Sequence, residues 1–289
     1  MNLFWSHTIW YLLLGLAIVI QVIYTLYHSE NRMRTFAFYL SIVGLPLYFE
    51  TFILIFFDAY TYSPEIIRSP NLDPFNDVLT GNLFSQFGVA SSALLLTIRR
   101  KSFHWGVIVA FLYCMLEEFF KALDIYQQHW WKTWMTFIGL LLLFTISKWL
   151  YAHIVRGVRP IYYYGYIVLA MFPVSTILFQ WGVLDLLGLM RFTEALSSNP
   201  QISRFGIWIT FVSISYPIIV WGYFQQHLKR KIAAVTLVGA IIYFGYKSHL
   251  IIFRAGLFVP ISILLLLWMC LSVWMINILY SGRPKCRCH

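Results

Sequence analysis

Nine apolar runs dominate this chain: residues 8–27, 35–57, 82–98, 104–123, 133–152, 160–184, 205–224, 232–247 and 250–280. A helix needs about 20 mostly apolar residues to cross the hydrocarbon core of a bilayer. Inside lipid the backbone must satisfy its own hydrogen bonds, which leaves helices or closed barrels, and runs of this length select helices. The expected fold is therefore all-α, a polytopic transmembrane helix bundle of about nine spans. The third and eighth runs are short. The ninth is long enough to tilt, or to kink at Pro260.

Composition agrees with this reading. Hydrophobic residues make up 60% of the 289 positions and charged residues only 11%, against about 25% charged in soluble domains. The formal net charge of +10 does not point to nucleic acid, because the basic residues sit in short clusters between apolar runs. That arrangement is a topology signal. Arg32, Arg34, Arg99, Arg100, Lys101, Lys148, Arg156, Arg159, Lys229, Arg230, Lys231, Arg283, Lys285 and Arg287 fall on one set of alternate loops. They are fourteen of the 21 basic residues. The positive side faces the cytoplasm, so the N-terminus is expected outside, the C-terminus inside, and the location is the plasma membrane.

The expected organisation is one transmembrane domain over 1–280 and a short cytoplasmic tail at 281–289. The first run has no basic n-region and no cleavage site, and reads as an uncleaved first helix. Cys286, Cys288 and His289 in the tail form a thin set of soft-metal ligands, and a reduced free pair is the simpler expectation. "HWWKTW" and "IYYYGY" place aromatic belts at the outer and inner interfaces.

The acids are distributed unevenly. Only Glu30 lies on the cytoplasmic side, and the other ten fall in outer loops or the outer halves of spans. Ionisable groups inside a membrane are costly and serve as functional candidates by default. Glu50 sits well inside the second run, with no Lys or Arg within helical reach and Pro46 one turn before it. Glu117 and Glu118 sit in the outer third of the fourth run, with Lys121 in reach of both and Asp124 on the face of Glu117. Two acids against one lysine leave a carboxylate in excess. Lys247, His249 and Arg254, at the outer start of the last run, are candidate partners. The structural alternative is an interhelical ion-pair network. "ETFILIFFDAY" and "EEFFKALDIY" also resemble each other, which suggests a two-helix repeat within 8–123. The oxygen-rich loop around Asp73 and Asp77 reads as an ordinary outer loop, since its spacing does not match an EF-hand.

Two family resemblances follow from these motifs. "FETFILIFFDAYTYSPEI", "GNLFSQF" and "DIYQQHWWKTW", within residues 40–140, resemble multi-pass membrane proteins of Bacillus-type bacteria, which implies a bacterial membrane protein. "EEFFK" at 117–121 is similar to the Glu-Glu-x-x-Lys motif of PrsW-like and CAAX-type intramembrane proteases. That resemblance implies that Glu117 and Glu118 activate a water with help from downstream histidines. His153 lies at the opposite end of its span, and His249 has the matching depth.

The leading functional expectation is a small-solute or ion transporter or binding protein with an outward-facing acidic pocket. Its candidate residues are Glu50, Glu117, Glu118, Lys121, Asp124, His249 and Arg254, its surroundings the lipid bilayer, and its ligand a small solute or cation. The alternatives are a metal- or glutamate-dependent intramembrane hydrolase, or a non-catalytic sensor or partner subunit. No Walker loop, dinucleotide fingerprint, His-Glu-x-x-His or Gly-x-Ser-x-Gly is present, so the sequence specifies no catalytic residues, cofactor or metal.

Overall fold

A computed structural model of the protein describes residues 4–66, 74–156, 160–196 and 200–281. The Cys286, Cys288 and His289 cluster and Asp73 lie outside them. The fold is a helical bundle, and among the described residues eight helices are long and apolar enough to cross a membrane. The protein is thus a multi-pass integral membrane protein. Contacts divide it into two compact units, residues up to Val158 and Arg159–Gly282.

Unit 1 contains α1 (Ile9–Tyr27), α2 (Arg32–Glu50), β1 (Tyr60–Tyr62), α3 (Pro74–Ile98), α4 (Phe103–Ala122), β2 (Tyr126–Gln128) and α5 (Thr133–Arg156). α3 is its central helix and packs against α1, α2 and α5. Small buried residues on α3, Ala90, Ser91 and Ala93, let the neighbours approach closely. Gln21 on α1 joins them, donating to the Ser92 hydroxyl at 3.2 Å and accepting from Ser91. α2 starts at Asn31, whose side chain accepts from the Arg34 N–H at 3.0 Å and satisfies a first-turn donor. Past Glu50 the helix widens to i→i+5 spacing over Thr51–Phe56. Pro46 has already removed one backbone donor from this helix. Asp58 then takes a left-handed conformation (φ 47°) and turns the chain into β1.

Unit 2 contains α6 (Pro160–Met171), β3 (Met190–Phe192), α7 (Pro200–Tyr223), α8 (Leu228–Lys247), β4 (Ile251–Phe253) and α9 (Phe258–Ser281). α6 runs directly into a wide helical stretch, Phe172–Asp185, with Pro173 at its start. α8 opens on Lys229, Arg230 and Lys231, and is the helix that falls outside the apolar set of eight.

The two units repeat one plan. After α1, each runs through a helix, a wide turn, a short strand, two helices, a second short strand and a final helix. Each pair of strands is antiparallel, with Tyr62 opposite Tyr126 in one and Phe192 opposite Ile251 in the other. Bonds beyond the ladders match too. The Ser63 N–H donates to the Ile125 carbonyl and the Thr193 N–H to that of Leu250, both at 3.0 Å. The His129 N–H donates to the Ala59 carbonyl at 2.9 Å and the Arg254 N–H to that of Leu189 at 3.0 Å. Left-handed residues stand at matching corners, Asp58 with Gly188 and Asp124 with His249. Unit 2 thus has the element order and several of the backbone bonds of the four-helix part of unit 1.

Several element boundaries differ from the apolar runs. α3 begins at Pro74 rather than 82, because its first turns carry Asn76, Asp77 and Asn82 and lower the local hydropathy. Run 250–280 divides into β4 and α9. Pro260 lies in the first turn of α9, where its missing N–H leaves no helical bond unmade. The sequence predicts none of the strands, since three residues are too few for an alternating pattern to register against apolar flanks.

Candidate functional site

The residue that positions the site is Tyr60. β1 alternates its side chains, so Tyr60 and Tyr62 share a face. Pairing with β2 sets Tyr126 opposite Tyr62, with ring centroids 5.1 Å apart. Trp131 closes the group, 6.1 Å from the Tyr60 ring, and its indole N–H donates to the Thr136 hydroxyl at 2.8 Å. These rings roof a cavity of about 380 Å³ inside unit 1. Two carboxylates, Glu50 and Glu117, line it together with Gln86 and Tyr113.

Glu50 is 7% exposed. It accepts a hydrogen bond from the Tyr60 hydroxyl and another from the Gln86 side chain. Burial first, and then the charge of Glu50, push the Tyr60 phenol well above its ordinary range. Burial acts likewise on Tyr62 and Tyr126. The Tyr60 phenol therefore stays protonated and donates to Glu50. Glu117 accepts from the Gln128 amide, from the Thr133 hydroxyl at 3.3 Å and from Thr136. Gln128 comes from β2, and Thr133 and Thr136 from the first turn of α5. Among the described residues no lysine, arginine or histidine forms an ion pair with Glu50 or Glu117.

The sequence-predicted site residues do not all come together. Glu50 and Glu117 line one cavity. Glu118 and Lys121 do not; they pair with each other at 2.9 Å, half-exposed, and the Thr133 hydroxyl also donates to Glu118. The lysine thus serves Glu118 and leaves Glu117 as the excess carboxylate. Adjacent helical positions diverge by about 100°, which explains why the two glutamates part. Asp124 occupies the left-handed corner between α4 and β2. His249 occupies the matching corner of unit 2, and Arg254 follows β4. The cavity is lined by residues of unit 1. The lining includes Glu117 but neither Glu118 nor a histidine.

Three of the other acids have structural partners. Asp77, in the first turn of α3, accepts from the backbone N–H groups of Glu65 and Ile66, both at 2.8 Å. Asp185 and Glu194 both meet Arg204 in unit 2. Among the described residues no group of three or more His, Cys, Asp or Glu could hold a metal ion.

Unit 2 shows what the same position looks like without a carboxylate. Gln180 precedes Gly188 by the same eight residues that separate Glu50 from Asp58. It is 1% exposed. Its amide accepts from the Trp208 indole at 2.8 Å and donates to the Tyr216 hydroxyl at 3.1 Å.

Sequence reasoning missed the tyrosines, Gln86, Gln128 and Thr133. A signal for part of this set was present in "DAYTY" and "DIYQQ", where an Asp-x-Tyr follows each acid. The pairing of those two segments makes the roof.

Comparisons with protein-family models, curated proteins and solved structures find no match to this chain.

Proposed function

We propose that the protein binds a small cation-bearing solute in the unit 1 cavity and serves in its uptake or transport. The observation that carries this reading is the pair of carboxylates, Glu50 and Glu117, lining one cavity without a cationic side chain against either among the described residues. Carboxylates in that position are held by neutral donors and retain room for a cation. Tyrosine and tryptophan faces suit an organic ammonium in particular, because the ring quadrupole attracts it. The volume falls within the range of small-molecule sites.

The topology proposed with it is nine spans in a bacterial plasma membrane, with the N-terminus outside. Loop charges support that orientation, and the Bacillus-type resemblance supports the bacterial setting. The outer ends of α2 and α4 would then carry the two acids, so the cavity would lie in the outer half of the membrane.

The test is thermal unfolding in lipid nanodiscs with ammonium, ethylamine, Na⁺, K⁺, Ca²⁺ and Zn²⁺. A ligand that binds the folded state raises its stability by mass action. Stabilisation by one cation class, lost in Glu50→Gln and in Glu117→Gln, is the expected result. Equal responses in wild type and both variants would overturn the reading.

A further inference from the structure

The cavity is amphipathic along its length, and it has an open side. Its polar groups gather at one end, where α2 finishes and α5 starts. Its deeper lining is apolar apart from Tyr113, whose hydroxyl meets Ser92 at 3.0 Å. Leu45 and Phe49 lie one turn apart on α2, and Leu142 and Ile146 lie one turn apart on α5. α5 advances about 15 Å between Thr136, beside Glu117, and Ile146. Phe49, Leu142 and Ile146 are cavity lining and yet 51%, 57% and 43% exposed. A residue that lines a cavity and also faces outward marks its mouth. These residues fall within membrane-spanning segments, so the mouth opens sideways to lipid rather than to water. α2 and α5 flank α3 with little contact between themselves. Gly139, also in the lining, leaves open space, with nothing within 4 Å of where a side chain would begin.

From these features we infer that the occupant is a single-chain cationic amphiphile. Its ammonium group lies between Glu50 and Glu117 beneath the tyrosine roof, and its alkyl chain leaves through the slot between α2 and α5. This rests on the reading of the cavity as a cation site and adds the chain and the route. Charge complementarity selects the head group, since two carboxylates reject a fatty acid anion. The apolar lower wall and lateral mouth select the chain. A solute arriving from water would need no opening bordered by phenylalanine, leucine and isoleucine.

The test uses the full chain in nanodiscs and tritiated ethylamine and octylamine as probes, with empty nanodiscs subtracted. Leu142→Trp is chosen to fill the slot, and Glu50→Gln to remove head-group charge. The expected pattern is that Leu142→Trp weakens octylamine binding at least tenfold and changes ethylamine binding less than twofold. Glu50→Gln weakens both, and octanoate does not compete. Ile146→Trp provides a second block should Leu142→Trp fail to fold. If ethylamine binds and neither tryptophan variant affects octylamine, the lateral route is overturned and the cation site stands. If neither amine binds above empty nanodiscs, both are overturned. If octanoate competes as well as octylamine, the charge selection is wrong.

Discussion

Tyr60 donates its phenolic hydrogen to Glu50, and that bond joins the end of α2 to the β1–β2 roof of the cavity. A hydrogen bond to a charged group contributes about 1.5–3 kcal/mol, and an orphaned buried acceptor costs a similar amount. Tyr60→Phe is therefore expected to lower unfolding stability by about 1–3 kcal/mol. It should also weaken cation binding, because the roof loses its tether. Thermal unfolding and amine binding on the same sample check both, and an unchanged melting curve would show that the bond contributes nothing.

Glu50 and Gln180 hold corresponding places in the two units, which makes reciprocal substitution informative. Glu50→Gln removes a buried charge but keeps an acceptor for Tyr60, so stability should stay level or rise. Gln180→Glu removes the amide donor to Tyr216 and places a charge where the residue is 1% exposed. The cost of an unpaired buried ion is several kcal/mol, so this variant should melt far lower or fail to fold. Comparable melting temperatures for the two variants would contradict the correspondence.

Arg204 and Lys121 both meet carboxylates, in different surroundings. Arg204 and Asp185 have side chains 8% and 13% exposed, whereas Lys121 and Glu118 are 33% and 50% exposed. Removing one partner of a buried pair costs about 3–5 kcal/mol, and an exposed pair contributes about 0–1 kcal/mol. Arg204→Met should be strongly destabilising and Lys121→Met nearly neutral. Denaturation of the two variants in matched detergent distinguishes these outcomes.

Gly139 and Gly81 make a paired test of packing. A Cβ on Gly81 would stand 2.7 Å from the Tyr62 Cβ, so Gly81→Ala forces β1 to move. Overpacking of this kind costs about 1–3 kcal/mol. Gly139 meets nothing within 4 Å, so Gly139→Ala should gain roughly 0.5–1 kcal/mol of helix propensity. Gly139→Phe, which fills the cavity, should keep the fold and lose amine binding, as thermal unfolding and tritiated-amine binding together would show.

The helices were legible in the sequence because a bilayer imposes length and apolarity on every span, and α4 and α5 appear close to their apolar runs. Glu50 was legible as an unusual intramembrane acid for the same reason. What local reading could not supply was the partner of each acid. Lys121 is within reach of both Glu117 and Glu118, and only the packing of α4 against α5 sends one inward and one outward. Tyr60 and Tyr126 are separated in the chain by two helices, so no window contains the roof they build. The shared plan of the two units was hidden because backbone corners, not side chains, carry it: Asp58 matches Gly188, and Asp124 matches His249.

The β1–β2 pairing also sets an order of assembly. Chains are made from the N-terminus, so Glu50 and Tyr60 leave the ribosome before α3, α4 and β2 exist. Until Tyr126 and Gln128 arrive, β1 is an unpaired edge and α2 carries an acid with no cavity around it. The nascent chain must pass two further helices before its polar groups find cover. Unit 2, with Gln180 in place of the acid, goes through the same stage carrying a neutral amide.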